Sequence, residues 1–133
     1  MRDARSIMKG HDMPLHESGE DYLEAILMLS QEHEKVRSVD VADRLGVTKA
    51  SVSKAMSSLE SKGYVEMGKR DVRLTERGLE VAEQMLERHK FFVNLLERAG
   101  VPADVAAAEG CHMEHCLSED SFEKLRSMLE PAE

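Results

Sequence analysis

Between Ser38 and Leu74 the apolar residues change period once, and that change constrains the fold more than any other feature of the chain. Val39, Ala42 and Leu45 recur at helical spacing over Ser38–Leu45, until Gly46-Val47 breaks the run. Thr48 then offers an N-cap for a second helix through Lys62, with Val52, Met56 and Leu59 inward and Gly63 as terminator. Beyond Gly63 the period falls to two. Tyr64–Met67 and Val72–Leu74 alternate on either side of Gly68-Lys69-Arg70-Asp71, which is the pattern of a β-hairpin. A helix, a glycine-containing turn, a Thr-capped helix and a hairpin, in that order, predict a winged helix-turn-helix.

The flanks read as helices. Ser18 predicts the N-cap of one running to about Glu32, with Tyr22, Leu23, Ile26 and Leu27 on its apolar face. Thr75 caps a long helix to about Ala99, with Val81, Ala82, Met85, Leu86, Val93 and Leu96 on one stripe. Gly100 stops it, Pro102 opens a helix to about Leu117, and Ser118 caps a last one carrying Phe122, Leu125 and Leu129. The expected class is therefore mainly α: residues 1–17 a lead-in, 18–75 a winged helix-turn-helix domain, and 76–133 a helical domain. Nine Met against two Tyr, three Phe and no Trp suit helices better than a β-sandwich. No apolar run approaches the roughly 18–20 residues of a membrane span, and residues 1–20 hold no stretch of signal-peptide character. A cytoplasmic chain is expected. Cys111 and Cys116 lie about 140° apart around a helix at 100° per residue, so they read as thiols and not as a disulfide.

The net charge is −8, which argues against indiscriminate nucleic-acid binding, but the charge is uneven. Residues 44–73 hold Arg44, Lys49, Lys54, Lys62, Lys69, Arg70 and Arg73 against three carboxylates. That local basic footprint coincides with the predicted winged motif. Thr48, Lys49, Ala50, Ser51, Ser53 and Lys54 occupy the start of the second helix, the end that would enter a major groove. The hydroxyls can donate or accept at base edges, Ala50 suits a thymine methyl, and the helix N-terminus favours phosphate. Lys69 and Arg70 stand at the hairpin tip, where a wing meets the DNA backbone or the minor groove. Taken singly, these residues are ordinary caps and solvated lysines; it is their order that points to DNA.

A second constellation lies toward the end of the chain. Cys111-His112-Met113-Glu114-His115 sets Cys111, Glu114 and His115 at i, i+3 and i+4 on one helix face. A thiolate, a carboxylate and an imidazole are costly to bury together without a cation. His89 falls in register with Met85, Leu86 and Val93 and is expected to point inward, where a core histidine is the plainer reading. Asp21 and Glu24 are spaced i, i+3 on the first helix, and a capping box with Ser18 would also explain Asp21.

Here the chain resembles the diphtheria-toxin-repressor family of metal-dependent transcriptional regulators, which includes iron-dependent repressors and manganese transport regulators. The likeness covers about residues 18–130. It is carried by Asp-Tyr-Leu-Glu-Ala-Ile, Val-Thr-Lys-Ala-Ser-Val-Ser, Leu-Thr-Glu-Arg-Gly, Arg-His-Lys and Glu-Gly-Cys-His-Met-Glu-His-Cys-Leu-Ser, in order. The resemblance implies that Asp21, Glu24, His89, Cys111, Glu114 and His115 are metal ligands. Cys111 stands where the manganese pattern has Glu, as in iron-type repressors, whereas Asp21 stands where iron-type proteins have Met. The iron-type ancillary histidine is replaced by Ala107. The site is a hybrid, in a chain resembling the short members that lack an SH3-like third domain.

Carboxylates and imidazoles suit octahedral Mn²⁺ or Fe²⁺, while the thiol adds softness and admits Zn²⁺ in vitro. A thiolate with three carboxylates carries enough formal charge for two divalent ions. The expected function is a repressor with Mn²⁺ or Fe²⁺ as co-repressor, acting as a homodimer on palindromic double-stranded operator DNA. Two other readings compete. One is a winged-helix regulator that senses redox state or another ligand through Cys111. The other is a zinc hydrolase, since Cys-His-Met-Glu-His resembles H-x-x-E-H; it is disfavoured because Cys stands first and no catalytic Gly-rich loop follows.

Overall fold

In the computed structural model of the chain, residues 17–129 are described. They form two compact units, one ending at Leu86 and the other beginning at Glu87. The elements are α1 (Glu17–Glu32), α2 (Ser38–Leu45), α3 (Lys49–Ser61), β1 (Val65–Met67), β2 (Val72–Leu74), α4 (Glu76–Arg98), α5 (Ala103–Met113) and α6 (Glu119–Leu129). The mainly helical class and the winged helix-turn-helix order are as expected. No helix among the described residues is long and apolar enough to cross a membrane.

The first unit is built around α1, whose Tyr22, Leu23, Ile26, Leu27 and Leu29 are all buried in one cluster. α1 starts at Glu17, so Ser18 lies inside the first turn and is not the N-cap expected for it. Ser, Asp and Glu are all favoured in a first turn, which makes the start ambiguous by a residue or two. Apart from Glu17, the lead-in predicted for residues 1–17 lies outside the described residues. α2 is capped where the Arg37 N–H donates to the Asp40 carboxylate at 3.0 Å, and it ends at Gly46 with φ +67°. Val41 and Ala42 are its buried residues. Val39, expected inward, stays half-exposed in the first turn because Val41, one turn before Leu45, takes the central position.

α3 begins as predicted. Thr48 Oγ1 accepts the Ser51 N–H at 3.0 Å, and Val52, Met56 and Leu59 are buried at i, i+4 and i+7. The hairpin pairs Val65 with Leu74, Glu66 with Arg73 and Met67 with Val72. Two bonds tie it to its surroundings: Val72 N–H donates to the Val36 carbonyl, between α1 and α2, at 2.8 Å, and Met67 N–H to Glu60 Oε2 on α3 at 3.1 Å. The join to α4 is close. Thr75 donates its hydroxyl to the Gly63 carbonyl at 2.7 Å and accepts the Gly78 N–H at 3.1 Å. A Cβ on Gly78 would stand 1.9 Å from the Tyr64 carbonyl oxygen, so this position has room for hydrogen alone.

The second unit packs Phe91, Phe92 and Phe122 together, with Phe91 edge-on to both other rings at 5.2 and 5.4 Å. The stripe predicted on α4 needs correction. Ala82 and Met85 are buried as expected, but Val93 and Leu96 are half-exposed, while Arg88, Phe91 and Phe92 are buried. Arg88 looks polar in sequence and therefore dropped out of the apolar pattern, although it fills the turn between Met85 and Phe92. α5 also ends sooner than predicted, at Met113 and not near Leu117. Glu114 is its αR C-cap and residues 114–117 form a turn before Ser118 caps α6.

Candidate metal centre and nucleic-acid interface

In the first unit, Thr48, Lys49, Ala50, Ser51, Ser53 and Lys54 are all exposed at the start of α3, and Lys69 and Arg70 are exposed at the hairpin tip. The exposed face follows from the burial of Val52 and Met56, which turns the intervening residues outward. Thr48 donates its hydroxyl to Ser51 Oγ at 2.9 Å, which leaves the Ser51 hydroxyl proton directed to a further acceptor. Two of the basic residues are committed internally: Arg44 pairs with Glu32 at 3.2 Å and Arg73 with Asp71 at 3.5 Å. Lys49, Lys54, Lys62, Lys69 and Arg70 hold no ion pair among the described residues.

Arg77 is not among the residues that the sequence pattern marks. Its guanidinium donates to the Lys62 carbonyl at 3.2 Å and the Tyr64 hydroxyl at 3.0 Å, and lies 4.4 Å from the Tyr64 ring centroid. It thereby caps the end of α3 and holds the approach to β1. The only sequence signal was its place within Leu-Thr-Glu-Arg-Gly.

In the second unit the acidic centre is Glu114, which is fully buried. His89 Nδ1 lies 2.9 Å from its Oε2, and His115 Nε2 lies 3.4 Å from its Oε1. Donor atoms of Cys111, Glu114 and His115 fall within 4.8 Å of one another. The close approach depends on Gly110, where a Cβ would come 2.9 Å from Val93 Cγ2, so α5 lies tight against α4 beside His89. His89 is not the enclosed core histidine that its register suggested: its side chain is 25% exposed and meets Glu114. Cys111 is half-buried and reduced. Because α5 ends at Met113, Glu114 and His115 extend from its capping turn and not from a helical face, yet the αR conformation of Glu114 keeps all three donors together.

An ionised carboxylate without water contact is strongly disfavoured unless cationic or coordinating partners surround it. One carboxylate, two imidazoles and a thiol supply hard, borderline and soft donors, a set that fits a divalent transition-metal ion. In the first unit, Glu24 is buried and Asp21 half-buried, one turn apart on α1.

Comparisons with known proteins agree with both halves. The family model described as "Iron dependent repressor, N-terminal DNA binding domain" matches residues 14–71, and "Iron dependent repressor, metal binding and dimerisation domain" matches residues 75–133. The transcriptional regulator MntR of Escherichia coli is 37% identical over 108 residues, which are 80% of this chain and 70% of that one. The iron-dependent repressor IdeR of Mycobacterium tuberculosis is 32% identical over 117 residues, 86% of this chain and 51% of the relative. A solved manganese-dependent transcriptional repressor in complex with manganese superposes with a TM-score of 0.73 at 29% identity, covering 84% of this chain and 52% of that one. The chain thus spans about half the length of IdeR and of that repressor.

Proposed function

The chain belongs to the iron-dependent repressor family of metal-dependent transcriptional repressors, and from that premise we propose that Mn²⁺ or Fe²⁺ switches on its binding to operator DNA. The observation that carries the reading is the buried Glu114 carboxylate with His89 and His115 at 2.9 and 3.4 Å. We assign Asp21, Glu24, His89, Cys111, Glu114 and His115 as the ligand set, with charge enough for one or two divalent ions. An ion held by this set would supply the positive charge that its carboxylates and thiolate require.

What this chain's residues do follows from their chemistry. Asp21 and Glu24 belong to the DNA-reading domain, 18–75, and the remaining ligands to the helical domain, 76–133. Joint ligation shifts the population of arrangements toward the one that fits DNA, with no change to the α3 surface. Cys111 and the histidines must be deprotonated to ligate. Lys69 and Arg70 contact backbone phosphate, and Ser51 and Ser53 read base edges. The functional unit is a homodimer, since a palindromic operator presents half-sites about 34 Å apart. It works in the cytoplasm and performs no catalysis: Cys111 occupies the first position of what would otherwise resemble H-x-x-E-H, and the relatives are named as transcriptional regulators and repressors.

The test is operator binding titrated separately with Mn²⁺, Fe²⁺ and Zn²⁺ under anaerobic conditions, on a duplex selected from a random pool. Binding that requires Mn²⁺ or Fe²⁺ supports the reading. Equal binding in the presence of a chelator would overturn it.

A further inference from the structure

Two consecutive residues of α4 hold Glu114 by opposite ends. His89 reaches the carboxylate, while Arg88 donates from Nη1 to the Glu114 carbonyl at 3.1 Å and to the Leu117 carbonyl at 2.6 Å. Arg88 Nη2 also reaches Glu119 Oε2 in the first turn of α6, at 3.2 Å. The guanidinium lies 5.0 Å from the Phe122 ring centroid. One side chain therefore spans the whole turn between α5 and α6, which carries Glu114 and His115.

The ion pair alone does not account for a buried arginine here. Its side chain is 6% exposed, and its one carboxylate partner among the described residues, Glu119, is 53% exposed, so the ion pair is largely screened. Its buried Nε–H finds no acceptor among the described residues. Taking a guanidinium out of water for that ion pair alone is unfavourable; the bonds to the Glu114 and Leu117 carbonyls offset the cost. What the guanidinium supplies is geometry. Carbonyls in a turn that leaves a helix have no helical partners, and the planar fork joins those of Glu114 and Leu117, on Nη1, to the Glu119 carboxylate, on Nη2, a fixed spread that the single nitrogen of lysine does not match.

We propose that Arg88 is a positioning residue for the metal centre: it fixes the backbone of the Glu114–Leu117 turn so that the Glu114 and His115 side chains are aimed before any ion arrives. This rests on the assignment of Glu114 and His115 as ligands. Its consequence is a preformed site, whose affinity depends on a residue that touches no ion.

The test compares the full-length parent protein with Arg88→Lys, reduced and anaerobic, using Co²⁺ alone as the probe. Three quantities are read: Co²⁺ affinity, the d–d absorption spectrum at saturation, and backbone amide exchange of residues 114–116 in the metal-free protein. The expected result is a loss of affinity of about 10- to 100-fold, an altered spectrum at saturation, and faster exchange confined to the turn. A merely structural role would lower the melting temperature while leaving the saturated spectrum and affinity unchanged, and that outcome overturns the proposal. If Arg88→Lys does not fold, Glu119→Ala carries the test, since it removes the half-exposed acceptor that anchors Nη2; a smaller change in the same direction supports the proposal, and none overturns it. A parent that binds no Co²⁺ would instead sink the ligand assignment itself.

Discussion

His89 Nδ1 stands 2.9 Å from Oε2 of Glu114, a carboxylate with no exposure to solvent. One of the two residues comes from the middle of the long helix and the other from the cap of the next. Their meeting gives the second unit a polar centre beside its Phe91–Phe92–Phe122 core. The contact carries the first prediction. His89→Ala and Glu114→Ala should each weaken Mn²⁺ and Fe²⁺ binding by more than about 100-fold, since removing a ligand exceeds the 10- to 100-fold typical of an outer-shell change. Metal-dependent operator binding should vanish with it. Isothermal titration and fluorescence anisotropy read the two effects, and a retained response in Glu114→Ala would remove this centre from the account.

Cys111 is the softest donor in the group, half-buried within 4.8 Å of the Glu114 and His115 donors. Replacing it by Glu exchanges sulfur for oxygen and permits bidentate coordination, which favours the harder ion. Cys111→Glu should shift activation from Fe²⁺ toward Mn²⁺ on the order of tenfold, the scale of an altered ligand environment. The selected DNA sequence should stay the same, because Thr48–Lys54 is untouched. An unchanged metal ranking would show that Cys111 does not ligate.

Lys69 and Arg70 are exposed at the hairpin tip and hold no ion pair among the described residues. Changing either to Ala should weaken binding to all sequences alike and reduce the salt slope by about one. Ser51→Ala or Ser53→Ala should instead change which sequences are preferred. Binding isotherms across salt concentrations, on selected and scrambled duplexes, separate the two patterns. A Lys69→Ala protein with an unaltered slope would take the wing off the DNA.

Gly78→Ala sets two effects in opposition. Alanine gains about 1 kcal/mol of helix propensity over glycine. The new methyl, however, would sit 1.9 Å from the Tyr64 carbonyl oxygen, a backbone atom that cannot swing aside. Overpacking of that kind costs about 1–3 kcal/mol or more, so the clash wins. The melting temperature should fall and amide protection in Val65–Leu74 should drop first. A more stable Gly78→Ala would contradict the packing described at this join.

Much of this was legible in sequence because the signals were local. Thr48, Gly63, Thr75 and Ser118 act as caps or terminators where the spacing put them, and the change of period at Tyr64 marks the hairpin. The donor cluster of Cys111, Glu114 and His115 survives even though α5 ends early, since an αR cap continues the helical geometry for one more residue. Arg88 and Arg77 were not legible. Each acts through its guanidinium on backbone carbonyls distant in sequence, and composition or periodicity holds no trace of such bonds. Phe91 and Phe92 were missed for a related reason. The polar Arg88 interrupts the apolar spacing that leads to them, so the sequence period runs through Val93 and Leu96, which the structure leaves half-exposed.

The central claim is that the metal and the DNA are coupled ligands of one switch, and coupling of that kind is reciprocal. The most direct measurement is therefore the Mn²⁺ dissociation constant of the protein, taken anaerobically with and without saturating operator duplex. The account predicts that operator tightens Mn²⁺ binding by at least about fivefold, the lower end of ordinary coupling between two sites, and that a scrambled duplex does so less. Equal Mn²⁺ affinities with and without operator would contradict it.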